Sequence, residues 1–253
     1  MGTSTSHRSP ATPEWDRVRE LYELAHPSPR EVVSRIVAAL DEATQQRLHA
    51  EAPVRCLDAL LHGSAGAAAP GAVWPTVTPS TGCAALDLAA HLTSTAEASV
   101  GAARAGSLFG TLAREAIAPT LIASLQAPVA WVELPPETVQ TQYGRWAREG
   151  RLSDLAAEYV AQDLGQTFRY FVTRDLADFV GRPHLPGINA ARALTESVAD
   201  YCRTRTGLSL TARWEQDLQE VMTLDREQRV PALTPLMSQA VQTGLANLAG
   251  GER

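Results

Sequence analysis

The sequence contains no lysine: all 22 of its basic residues are arginine. One reading is the codon bias of a GC-rich genome, which favours Arg, Ala and Gly over Lys. The other is that side-chain amines are excluded so that some amine chemistry must find a different target. The absence also removes the phosphate-cradling pattern G-x-x-x-x-G-K, which needs a lysine. Cysteine is scarce too. Cys56, Cys83 and Cys202 are odd in number and widely scattered, so neither a disulfide framework nor a thiolate metal site is expected, and a reducing, cytoplasmic compartment is predicted. Aromatic residues make up only 6% of the chain, and the opening residues carry no signal-peptide pattern.

What is present in their place is alanine and leucine, both strong helix formers, within ordinary proportions of 45% apolar and 20% charged residues. At 253 residues the chain is long enough to bury a core without disulfides or metals. Its net charge of −6 leaves no electrostatic footprint for direct nucleic-acid binding. The uncharged stretch from Ala116 to Val132 is interrupted by Pro119 and Pro128, which makes it a poor membrane span.

The patterning predicts an all-α fold: a flexible N-terminal tail (1–12), an N-terminal helical segment (13–62), a Pro/Gly-rich linker (63–83) and a main helical domain (84–249). Thr12 caps a first helix that Pro13 opens, with Trp15, Val18, Leu21 and Tyr22 on one face. Ser28-Pro29-Arg30-Glu31 reads as a capping box ahead of Val32, Val33, Ile36, Val37 and Leu40. A short helix from Pro53 to His62 is expected to stop at Gly63. Gly106 and Gly110 suggest a close helix approach, and Val129 to Leu134 reads as extended. Two stripes follow, Leu152 to Leu164 and Phe168 to Val180, then a loop at 181–187 and two or three closing helices.

Catalytic patterns are incomplete. His49 and Glu51 form the H-x-E half of a zinc deaminase signature, but no C-x-x-C supplies the thiolates. Gly106-Ser107-Leu108-Phe109-Gly110 has its serine one place early for a nucleophile elbow. No catalytic, cofactor-binding or metal-binding residues are therefore assigned. The competing enzyme reading needs a site assembled from His91, His184 and Cys202, far apart in sequence. Phe168, Arg169, Tyr170, Phe171 and Arg174 are candidate interaction residues, as an aromatic and arginine helix face suits a binding hot spot. The better account of the same residues is core plus a solvated face on which Asp163, Asp175 and Asp178 lie.

Met1-Gly2-Thr3-Ser4-Thr5-Ser6 matches the myristoylation pattern M-G-x-x-x-[ST], which requires a eukaryotic transferase, whereas the composition fits a GC-rich bacterium. Both this pattern and the missing lysines direct attention to Gly2. After methionine removal its α-amine is the only primary amine, with a pKa near 7.7–8.0 against about 10.4 for lysine. The opposing reading is a plain disordered leader, or a recognition tail on a structural or regulatory protein.

The opening MGTSTSHRSP, the following T-P-E-W, and DLAAEYVAQDLGQTFRYFVTRDLADFVG at 154–181 together resemble the QatB component of the bacterial Qat anti-phage defence system. That resemblance implies a non-enzymatic accessory protein with three companions: a KAP-type ATPase, a QueC-like enzyme and a TatD-like nuclease. QueC-like enzymes are ATP-dependent ligases that activate the carboxylate of a deazaguanine. Gly2 is the modification site that follows.

Overall fold

A computed structural model of the chain describes residues 10–24, 27–69, 82–100, 107–125, 131–206 and 212–250. Among them the fold is all-α. Helices α1 (Pro13–Leu21), α2 (Pro29–Ala39), α3 (Glu42–Leu48) and α4 (Glu51–Ala68) come first. Next are α5 (Ala84–Val100), α6 (Leu108–Glu115), α7 (Ile117–Ser124), α8 (Pro136–Arg148) and α9 (Leu152–Leu176). The chain closes with α10 (Ile188–Thr206), α11 (Ala212–Met222) and α12 (Arg226–Leu248). The only pairing of strand type among the described residues is an isolated bridge from Arg182 to Leu185, inside the expected loop.

The long central helix α9 organises the packing. It touches α4, α6, α7, α8, α10, α11 and α12, because the first expected stripe and the second as far as Leu176 belong to one 25-residue helix. Leu152, Leu155, Tyr159, Leu164, Phe168, Phe171 and Leu176 all point into the core; Val180, beyond the helix end, is exposed. One contiguous apolar cluster runs from Trp15 to Leu248, so the segments 13–62 and 84–249 share a core.

Several local expectations change. α4 does not stop at Gly63 but continues to Ala68, so the first residues of the expected linker are helix; 70–81 lie outside the described residues. The reason is packing. Ser64 is fully buried and its hydroxyl donates to the Tyr143 carbonyl at 2.9 Å, and Gly144 of α8 lies against the Ala67 backbone. Ser28 occupies the N-cap of α2 but makes no side-chain capping bond, unlike Thr12, Asp41 and Ser107, which do. The expected extended piece contains a single 3-10 turn, Trp131–Glu133, and Pro136 opens α8 rather than ending a strand. Gly106 lies outside the described residues, as do the tail residues 1–9 with Gly2. Gly150 turns the chain between α8 and α9 with φ +64°, a conformation that costs glycine little.

Candidate binding site

Helical geometry divides the five candidate interaction residues. Phe168 is fully buried and Phe171 nearly so, Arg169 is exposed, and Tyr170 and Arg174 are half-buried. Only Tyr170, Phe171 and Arg174 come together, and they do so at a cavity of about 380 Å3 that Trp15, Arg47 and Phe109 also line. The contributions come from α1, α3, α6 and α9, and Trp15 and Arg174 are 159 residues apart. No spacing rule connects them, which is why Trp15, Arg47 and Phe109 were not expected at a site.

Arg174 is the fixed element. Its Nε donates to Asp175 Oδ1 at 2.8 Å and its Nη2 to Oδ2 at 3.4 Å. Its guanidinium stands 4.9 Å from the Trp15 ring centroid, 5.2 Å from Phe171 and 5.9 Å from Tyr170. A planar cation suits such stacking because it is weakly hydrated and presents a flat face. The rings brace one another, Trp15 edge-on to Phe171 at 5.5 Å and Tyr170 to Phe171 at 5.9 Å.

The rim consists of helix starts. Asp41 caps α3 by accepting the Thr44 backbone N–H at 2.7 Å. Hydrogen bonding from Thr44 holds its carboxyl below the usual range, with a smaller contribution from Arg47. Ser107 caps α6, its hydroxyl accepting from Gly110 at 3.1 Å. Pro10 borders the same cavity, and its carbonyl accepts from Arg19 Nη2 at 3.3 Å.

The other candidates do not assemble. Cys202 is fully buried, and burial pushes its thiol far above the ordinary range. His91 and His184 are exposed, so nucleophile and base do not meet. His49 and Glu51 border a second, more open cleft of about 770 Å3 with Arg55, Arg226 and Glu227. There Glu51 is ion-paired with Arg55 at 3.0 Å, and burial lowers the His49 pKa. Among the described residues no group of three or more His, Cys, Asp or Glu could hold a metal ion, and no helix is long and apolar enough to cross a membrane.

Two of the acidic residues expected on a solvated face are instead buried: Asp175, 5% exposed and paired with Arg174, and Asp163, in the core. Asp163 is 2% exposed, and burial pushes its carboxyl up to about 8. It lies one helical turn from Tyr159 and one from Thr167, whose hydroxyl is buried without a hydrogen-bond partner. Tyr159 donates to the Pro53 carbonyl at 3.1 Å and hydrogen-bonds with Cys56. The cavity and this buried polar row occupy different parts of α9.

No family model, curated protein or solved structure matches this chain.

Proposed function

We propose that the chain is a non-enzymatic accessory protein of a bacterial anti-phage defence operon, working in the cytoplasm. It acts as a binding partner of the operon's other products and offers Gly2 for modification by a QueC-like ligase. The observation that carries this reading is the complete absence of lysine among 22 basic residues. A ligase that joins a carboxylate to an amine then has one primary amine to find, and a far larger fraction of that amine is unprotonated near neutral pH than of a lysine amine. In the reaction the nitrogen attacks the activated carboxyl carbon, the activating nucleotide leaves, and the nitrogen gives up a proton, forming an amide.

The placement of the front of the described chain supports the reading. Pro10 is exposed at the surface and held by Arg19, and Gly2 to Ser9, mostly small and polar, precede it once Met1 is removed. Fully extended, that stretch reaches roughly 27 Å, enough to enter another enzyme's pocket without moving the helical body. The KAP-type ATPase and the TatD-like nuclease are the further partners of this reading.

Intact mass of the protein, produced with and without its neighbouring operon genes, tests it. A shift that maps to Gly2 and depends on the ligase gene is expected. Identical masses in the two samples, or an adduct on another residue, would end the proposal.

A further inference from the structure

We infer that the cavity formed where Trp15, Arg47, Phe109, Tyr170 and Arg174 converge binds a small planar aromatic anion of the nucleoside monophosphate class. Two kinds of surface meet there. Phe109 and Tyr170 are half-buried, so each keeps ring surface available, and base–aromatic stacking is a strong, ring-tolerant interaction. Arg174 is already held in a fixed plane by Asp175 and Trp15, so a ligand ring or anion meets a preorganised guanidinium.

Arg47 is the group placed to take an anion. Arg174 is already paired with Asp175, and Arg47 lines the cavity beside Asp41. One oxygen of that aspartate is committed to the Thr44 amide. Arg47 is exposed and makes no ion pair among the described residues. Leu108 and Phe109, in the first turn of α6, line the same space, and amides at that position lack intrahelical acceptors.

Size limits the ligand. At about 380 Å3 the cavity is near the lower end of small-molecule sites, enough for one ring system with one anionic group. The chain's own first nine residues are the competing occupant, since Pro10 stands at the rim. They carry Arg8 and offer no carboxylate, so they would bring a cation toward Arg47 and Arg174. Charge favours the external anion.

Calorimetric titration of the full-length chain with adenosine 5′-monophosphate tests this, beside adenosine, inorganic phosphate and a 5′-phosphorylated dinucleotide. The expected dissociation constant for the monophosphate is roughly 10–100 µM, with adenosine and phosphate at least about 10-fold weaker. Equal binding of the dinucleotide would assign a strand end as the natural source, and rejection of it a free nucleotide; either supports the site. Arg47→Ala, which removes an exposed side chain and leaves the fold intact, should weaken the monophosphate about 10-fold. Tyr170→Ala should weaken it roughly 10- to 100-fold. No monophosphate binding at millimolar concentration, unchanged affinity in Arg47→Ala, or binding that appears only after removal of residues 1–9 would each overturn the inference. The last result would give the cavity to the tail.

Discussion

Arg229 reaches from α12 to Asp58 on α4, 171 residues away in sequence, and its Nε donates to the carboxylate at 2.7 Å. Both side chains are mostly buried, 8% and 14% exposed, and Arg229 Nη1 also donates to the Leu224 carbonyl at 3.3 Å. The pair clamps the start of the last helix onto the early part of the chain. A buried ion pair of this kind resists loss of one partner far more than replacement of both. Arg229→Ala should therefore cost about 3–5 kcal/mol in urea unfolding, while Arg229→Met combined with Asp58→Leu should recover most of it. A single variant as stable as the parent would contradict this role.

The crossing of α4 and α8 depends on a missing side chain. A Cβ on Gly144 would stand 2.7 Å from the Ala67 carbonyl carbon and 2.9 Å from the Ala68 nitrogen, both backbone atoms that cannot rotate away. Tyr143, next in line, is fully buried and donates its hydroxyl to the Leu60 carbonyl, so the helices cannot easily separate. Gly144→Ala should destabilise the fold by about 1–3 kcal/mol or more through overpacking, despite alanine's better helix propensity. A thermal melt showing equal or higher stability would refute the close crossing.

Asp163 makes stability depend on pH. Its carboxyl lies at about 8 in the fold against 3.8 when free, because burial penalises the charge. Tyr159 on its own helix and Cys56 on α4 both feel its charge, with the Arg114–Glu97 ion pair acting on the same thiol. The folded state thus binds the proton more tightly than the unfolded chain. Its stabilising contribution is complete below about pH 4 and is lost as the pH rises through about 8. Asp163→Asn should be the more stable protein at pH 9, with a smaller decline between pH 5 and 9 than the parent. Parallel pH profiles for the two proteins would show that Asp163 does not hold a proton in the fold.

The thiols should be inert while the protein is folded. Cys56 and Cys202 are about 1% and 0% exposed, and burial pushes Cys56 up to about 12 and Cys202 higher still. Reactivity needs the thiolate and access to it. A thiol-specific reagent at pH 8 should label neither within the time in which both react in denaturant. Rapid labelling of Cys202 in the native protein would reopen a nucleophilic role for it.

The two faces of α9 show how much of this could be read without coordinates. Spacing places Leu155, Tyr159, Phe168 and Phe171 on apolar helical stripes, and all four are buried, because a 3.6-residue period leaves few other places for such a stripe; Phe168 and Phe171, also candidate interaction residues, are thereby largely withdrawn from the surface. Asp163 sits on that buried side too, and spacing alone would have placed it there; its polarity argued for the surface and was overruled. Pro231 and Pro235 lie inside α12, where each removes a backbone donor, yet the helix continues because Val230, Leu233 and Met237 are buried against its neighbours.

The sequence by itself determined the all-α class, the start and buried face of the first helix, and the complete absence of lysine. These follow from residue identity and short-range period. Only the tertiary structure decided that α4 runs past Gly63, that Asp163 is buried, and that Trp15, Arg47, Phe109 and Arg174 surround one cavity. Those depend on which helices pack together, and packing joins residues whose separation along the chain carries no local signal.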